Sequence, residues 1–116
     1  MAWRVEFYIV ERGTSPPRDF LESLPPRPQA KLLRTLNLLE THGPALAEPY
    51  VKRFTGWPGL LELRASVGSD AFRLFFFIAT EDLAVIVHGI RKKTARTPVR
   101  DLSTADARRR NYIERH

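Results

Sequence analysis

The 116-residue sequence contains no cysteine, which excludes disulfides, thiolate nucleophiles, iron–sulfur clusters and cysteine-based zinc sites. No two of its three histidines, at positions 42, 88 and 116, stand at the i, i+4 spacing of a helical zinc-binding pair. We expect neither a metal nor another cofactor. The longest purely apolar run covers residues 74–79, far short of the roughly 20 residues that span a bilayer. Charged residues interrupt the N-terminal segment, unlike a signal peptide, so we expect a cytoplasmic protein.

The amino-acid composition is that of an ordinary globular protein. Hydrophobic residues make up 43% and charged residues 28% of the chain, close to the averages for globular domains. Domains contain roughly 100–200 residues, so the length predicts one domain over residues 1–116.

Basic charge is concentrated near the C-terminus. The whole chain has 19 Lys and Arg against 13 Asp and Glu, a formal net charge of +6. Residues 88–116 alone contain nine basic and three acidic residues, so the last quarter carries the entire net charge. A localised basic field attracts polyanions, and the arginine fork matches phosphate geometry. The pattern is consistent both with nucleic-acid binding and with a solvated, solubilising surface.

The hydrophobic periodicity predicts an α+β fold in the order β-α-α-β-β-β-α. Residues 3–10 alternate like a half-buried strand, and helices are predicted over residues 16–24, capped by Ser15, and about 28–41. Residues 43–59 are rich in Pro and Gly and are predicted to form a loop. Three strands follow at residues 60–66, 71–80 and 83–90, with short hairpin connections. A last helix is predicted from residue 103 to about residue 113.

Strand parity places several charged side chains on one face of the predicted sheet. Alternate residues of a strand share a face, so Glu62 and Arg64 lie on the same side, opposite apolar residues suited to the core. Arg73 in the next strand is predicted to point to the same open face, and residues 91–93 leave the last strand towards this region. For Arg64, a cross-strand ion pair is an equally simple explanation.

Converging arginines suit the cleavage of RNA without a metal. The 2′-hydroxyl of RNA is an internal nucleophile, so the protein has to orient it, accept its proton and stabilise the extra negative charge on phosphorus. A lone histidine in an apolar strand is more often structural than catalytic, although its pKa suits proton transfer. The sequence leaves the proton acceptor open among His88, Lys92, Lys93, Tyr112 and Glu62.

Four short sequence elements, taken together, resemble the RelE/HigB toxin superfamily. They are PYVKRFTG at residues 49–56, GLLELR at 59–64, FRLFFF at 72–77 and HGIRKKTARTP at 88–98. The resemblance extends over nearly the whole chain and is strongest to the phage-derived, HigB-like branch.

The resemblance implies a RelE-like fold, in which two N-terminal helices pack on a small antiparallel sheet and a helix follows at the C-terminus. It implies the toxin of a type II toxin–antitoxin system: a ribosome-dependent endoribonuclease that cuts mRNA by metal-independent 2′-hydroxyl attack. The implied partners are mRNA, the ribosome and a cognate antitoxin, typically a HigA-like protein with a helix-turn-helix domain.

The resemblance also implies roles for individual residues. Arg73 and Arg91 match arginines that hold and neutralise the scissile phosphate, Arg64 matches a residue that orients the RNA, and Lys93 supplies a further catalytic cation. The predicted RNA-binding residues are Lys52, Arg53, Lys92, Arg96 and Tyr112.

Two functions without catalysis explain the same sequence. The basic and aromatic residues also suit a non-catalytic RNA-binding module on the same sheet. A phage-derived regulatory protein that acts through protein contacts is the other alternative.

Overall fold

A computed structural model describes residues 3–46, 50–92 and 96–116 of the chain. Its elements, in chain order, are β1 (Arg4–Phe7), α1 (Pro16–Ser23), α2 (Pro26–His42), a 3₁₀ turn (Gly43–Ala45), β2 (Val51–Arg53), β3 (Leu61–Val67), β4 (Asp70–Thr80), β5 (Leu83–Lys92) and α3 (Val99–Arg115). The predicted α+β class is confirmed.

The first two helices form where the sequence signals place them. Ser15 caps α1, and its hydroxyl accepts a hydrogen bond from the backbone N–H of Arg18 at 3.4 Å. The apolar stripe of α2, including Leu32 and Leu39, is buried. Gly43 ends α2 with a φ of +56°, a conformation that favours glycine.

The five strands form one mixed sheet in the order β1-β5-β4-β3-β2. Strands β2 to β5 pair antiparallel with their neighbours, whereas β1 pairs parallel with β5. The expectation of a purely antiparallel sheet is therefore wrong at this edge. Two helices and three strands separate β1 from β5 in the chain, so no tight hairpin sets their relative direction.

Helices cover both faces of the sheet, and the molecule has two apolar cores. On one face α1 and α2 pack against a core that includes Leu63 and Ile86. On the other face α3 packs against a core that includes Phe75 and Phe77. The expectation that the arginine-bearing face is open is wrong over most of its area, because the phenylalanines on that face need an apolar cover.

The main differences from the sequence prediction are a missed strand and an earlier start of the last helix; β1 is also shorter than the predicted residues 3–10, and β5 is two residues longer than predicted. The predicted loop over residues 43–59 contains β2, which has three residues and is held by its pairing with β3. A strand this short has no period to detect. Helix α3 begins at Val99 rather than at residue 103, directly after Pro98. No helix in the described part of the chain is long and apolar enough to cross a membrane.

The substitution Gly89→Ala is expected to destabilise the fold by about 1–3 kcal/mol, the usual effect of over-packing. An added Cβ on Gly89 in β5 would lie 2.3 Å from Cδ2 of Phe20 in α1. Urea denaturation measures the change in the free energy of unfolding. In a Phe20→Ala background the same substitution should have little effect, because the ring it meets is gone. An equal loss in both backgrounds would contradict this packing.

Candidate nucleic-acid interface

Two arginines face each other across strands β3 and β4. Arg64 and Arg73 are register partners, so their side chains share a face, and like charges in that position destabilise a sheet. Burial is the main cause of a lowered pKa for Arg73; the Glu62 carboxylate opposes this shift, and the charge of Arg64 adds to it. The structure thus brings together two of the arginines that the sequence analysis singled out.

A buried carboxylate holds this arginine pair. Glu62 is 1% exposed, its Oε1 lies 3.2 Å from Nε of Arg73, and its Oε2 lies 3.8 Å from Nε of Arg64. The 3.2 Å contact is an ion pair without hydrogen-bond alignment, so Arg73 Nε has no hydrogen-bond partner among the described residues. The Nη1 of Arg73 donates to the backbone carbonyl of Phe72 at 3.3 Å. Glu62 therefore offsets the repulsion between the two guanidinium groups.

A lysine and a threonine extend this group, which we call the Glu62 cluster (Glu62, Arg64, Arg73, Lys92 and Thr97). The Nζ of Lys92 donates to the Thr97 hydroxyl at 2.9 Å, and that hydroxyl donates to Oε1 of Glu62 at 3.3 Å. Lys92 is 8% exposed. Burial is the main cause of its lowered pKa; Glu62 opposes the shift, and the neighbouring cations add to it. A lysine with a lowered pKa is suited to proton transfer.

The arginine pair borders a cleft beside strand β3, which we call the β3 cleft. Its volume is about 400 Å³, and its polar lining consists of Lys31, Thr35, Tyr50, Arg64, Ser66 and Arg73. Tyr50 is 41% exposed and provides an aromatic surface on which a nucleic-acid base can stack. Because its described lining combines three cations with an aromatic ring and no carboxylate, the cleft suits a nucleotide.

The sequence analysis missed four polar residues of this cleft: Lys31, Thr35, Tyr50 and Ser66. Lys31 and Thr35 belong to α2, and only the packing of α2 against β3 brings them beside the arginines. Tyr50 could have been predicted from the sequence, because it stands shortly before the basic residues Lys52 and Arg53. Aromatic residues among cations are typical of single-strand binding surfaces.

Arg91 lies on the opposite face of the sheet. It pairs with Phe72 in the β4–β5 register, and its guanidinium lies 5.6 Å from the centre of that ring, which belongs to the core under α1 and α2. The guanidinium also forms an ion pair with Asp70. Neighbouring strand residues point to opposite faces, so Lys92 joins the Glu62 cluster while Arg91 does not. The expected convergence of Arg91 with Arg73 is therefore wrong.

Three predicted RNA-binding residues lie next to the Glu62 cluster in the chain or in the sheet. Lys52 is exposed and is the register partner of Glu62. Arg53 is exposed and follows it in β2, on the other face. Arg96 is exposed and directly precedes Thr97.

Two further predicted site residues are not part of this group. Tyr112 lies at the β1 side of the sheet, where its ring packs edge-on against Phe77 and its hydroxyl donates to Glu6 at 3.2 Å. Lys93 lies outside the residues that the structure describes.

His88 connects β5 to α3. Its Nε2 lies 2.8 Å from Oδ1 of Asp101, and its Nδ1 lies 3.2 Å from Nη1 of Arg108. Arginine only donates, so Nδ1 accepts, and Nε2 carries the proton that is donated to Asp101. Burial is the main cause of a lowered pKa for His88, and its contact with Asp101 opposes the shift. Both ring nitrogens are engaged in structural contacts, which argues against His88 as the proton acceptor.

Much of the basic charge near the C-terminus is used within the molecule. Asp106 forms ion pairs with Arg109 and Arg110, at 3.1 and 2.8 Å. Arg108 and Arg115 each donate a hydrogen bond to a backbone carbonyl, at 2.9 and 2.7 Å. The Asp106 ion pairs lie within α3, and the two hydrogen bonds attach α3 to the rest of the fold. The charge excess of this segment is therefore an unreliable sign of a nucleic-acid surface.

The substitution Glu62→Gln is expected to destabilise the protein by about 3 kcal/mol, because removing one partner of a buried ion pair leaves the other charge uncompensated. Urea denaturation measures the effect, and Glu22→Gln, on the exposed side of α1, is the matched control. Adding Arg73→Met should restore part of the loss, since it removes the uncompensated cation. A Glu62→Gln variant as stable as the control would contradict this account of the cluster.

The stability of the protein is expected to fall as the pH is lowered between about 7.5 and 5.5. The folded pKa of His88 lies below its ordinary value of 6.5, so the unfolded chain binds a proton more readily than the folded protein does. The stabilisation that the folded protein has above this pH is therefore lost on acidification. Free energies of unfolding across this range should show a shallower slope for His88→Gln than for the wild type. His42→Gln, at an exposed position, is the matched control. Equal slopes for His88→Gln and the wild type would refute the assignment.

Comparison with known proteins places the chain in a family. The family described as phage derived protein Gp49-like (DUF891) matches residues 19–110, a span that includes both α2 and the described residues of the Glu62 cluster. A comparison with curated proteins finds no significant match. The family match covers well over half of the chain and agrees with the superfamily that the sequence elements resemble. The chain therefore belongs to the phage-derived Gp49-like family, a RelE/HigB-like toxin family.

Proposed function

We propose that the protein is the HigB-like toxin of a type II toxin–antitoxin system and that it cuts mRNA on the ribosome. The observation that carries this proposal is the Arg64–Arg73 pair at the β3 cleft. One carboxylate balances only one of the two guanidinium charges, so the pair keeps an excess positive charge at the cleft. A phosphodiester in the cleft would be attracted by this charge and would accept hydrogen bonds from the arginines. Membership of a toxin family supports the same assignment.

In the proposed reaction, the 2′-oxygen of a ribose attacks the adjacent phosphorus, and the bond from phosphorus to the 5′-oxygen breaks. The products are a 2′,3′-cyclic phosphate and a 5′-hydroxyl. The phosphorus centre carries more negative charge in the transition state than in the diester, so cations at fixed positions accelerate the reaction. Arg64 and Arg73 supply these cations, and Glu62 holds both guanidinium groups near the cleft.

Lys92 is the proposed proton acceptor. Its pKa is lowered mainly by burial, so its amine releases its own proton more readily than an exposed lysine does. The neutral amine then takes the proton of the 2′-hydroxyl, while solvent supplies a proton to the 5′-oxygen. Thr97, which accepts a hydrogen bond from Nζ of Lys92, orients this amine.

The proposed partners are mRNA, the ribosome and a cognate antitoxin of the HigA-like, helix-turn-helix kind. A cleft of about 400 Å³ is at the small end of ligand sites and holds a short portion of a strand. The ribosome would supply the remaining positioning of the mRNA. An antitoxin would neutralise the toxin by covering the cationic cleft with an acidic segment.

A non-catalytic RNA-binding module is the second candidate. It is favoured by the burial of Lys92 and by the engagement of both ring nitrogens of His88, since both features restrict access to a proton acceptor. Such a module would bind RNA through Arg64 and Tyr50 and leave it intact.

Arg64→Gln is the most direct test, because this side chain is 29% exposed and less embedded in the fold than Arg73. We expect the variant to relieve growth arrest on expression and to reduce cleavage by about 10²–10³-fold, the usual effect of removing one transition-state donor. Sequencing of RNA 5′ ends after brief induction measures the cuts. Arg12→Gln, in an exposed turn, is the charge-matched control and should cut like the wild type.

Lys92→Met separates the two candidates. An enzyme that uses Lys92 as its proton acceptor should lose cleavage in this variant and keep RNA binding. Codon-phased cuts by the wild type support the enzyme, whereas RNA binding without cuts supports the module. Full cleavage by Arg64→Gln would contradict the role given to the β3 cleft.

A further inference from the structure

Three basic residues lie on one side of α2. Arg27, Lys31 and Arg34 stand at i, i+4 and i+7, the spacing of one helix face, over a length of about 10 Å. All three are exposed. Together with residues 66–68, at the end of β3, they line a second cavity of about 290 Å³, which we call the α2 groove.

The α2 groove adjoins the β3 cleft. Lys31 and Ser66 line both cavities, and the Nζ of Lys31 donates a hydrogen bond to the backbone carbonyl of Ser66. A linear polyanion in the cleft can therefore continue along α2 over an unbroken cationic surface.

The structure gives two of these cations no partner within the described residues. Neither Arg27 nor Arg34 forms an ion pair or a side-chain hydrogen bond there. Arg27 stands in the first turn of α2, which contains no acidic residue, and the helix dipole disfavours a cation at that end. The stability of α2 therefore does not explain Arg27.

The acidic residue at the adjoining turn does not cancel this charge. Asp70, which pairs with Val67 across the β3–β4 turn, is bound by Arg91. Cationic side chains with unused donors are suited to phosphate oxygens, and arginine binds them through two parallel hydrogen bonds.

We propose that the α2 groove binds the phosphodiester backbone of the single-stranded RNA on one side of the linkage held in the β3 cleft. This inference rests on the proposed function and extends it, because it names the path of the strand and the residues that contact it. Arg27 and Arg34 each contact a phosphate, and Lys31 stands where the groove meets the cleft. These contacts carry no base specificity, since phosphates are the same in every sequence.

The salt dependence of RNA binding tests this path. The probe is a fluorescently labelled, 2′-O-methyl single-stranded oligonucleotide of about twelve nucleotides, which cannot be cleaved. Each lost phosphate contact lowers the slope of log K against log salt by about 0.7. We expect Arg27→Gln/Arg34→Gln to reduce the slope by about 1.4 and to weaken binding equally for oligonucleotides of different sequence. Arg12→Gln/Arg100→Gln, which removes the same charge from exposed positions that do not line the groove, is the matched control.

An unchanged slope for Arg27→Gln/Arg34→Gln would overturn the groove proposal, as would a change no larger than that of the control pair. If RNA binding is unchanged but the variant captures a protein partner more weakly, Arg27 and Arg34 bind that partner, and the proposal is also overturned. Cleavage by the wild type is measured separately from cellular RNA 5′ ends. A wild type that cuts codon-phased RNA while the slope stays unchanged would refute the groove and leave the proposed function intact.

Discussion

The site depends on one buried carboxylate between two guanidinium groups. Glu62 lies within 3.8 Å of Arg64 and 3.2 Å of Arg73, which strand pairing forces into opposed positions. Without the carboxylate, the pairing of β3 with β4 would bring like charges together in a nearly dry environment. The Glu62 carboxylate instead holds the guanidinium groups of Arg64 and Arg73 at the edge of the β3 cleft. The same interaction thus supports the sheet and places two cations at the proposed phosphate site.

Most arginines of α3 have partners within the described part of the molecule, whereas two arginines of α2 do not. Four of the five arginines of α3 bind Asp106, His88 or backbone carbonyls. On α2, Arg27 and Arg34 have no such partners within the described residues. Counting charges along the sequence therefore overstates how many cations of α3 are available to a ligand, and it does not single out the arginines of α2. The protein has a formal net charge of +6, but the side-chain contacts decide which cations remain accessible to a ligand.

Sequence periodicity was sufficient for the fold class and for placing Arg64 and Arg73 on the same face of the sheet, because both follow from strand parity and short hairpins. It was insufficient for the direction of β1 and for β2, whose pairing partners are set by tertiary packing rather than by any local pattern. The expectation that residues 91–93 all leave β5 towards the cluster overlooked parity, which still holds there and places Lys92 in the cluster but Arg91 on the other face. Lys31 and Thr35 belong to the cleft only because α2 packs beside β3, and nothing in their local sequence indicates this.

The most direct measurement is a titration of the protein with a non-cleavable RNA oligonucleotide, followed by NMR of the arginine Nε–H groups. The account predicts that the resonances of Arg64 and Arg73 shift on binding, while that of Arg91, paired with Asp70 on the far face, stays in place. A shift of Arg91 with no change at Arg64 and Arg73 would contradict the assignment of the β3 cleft.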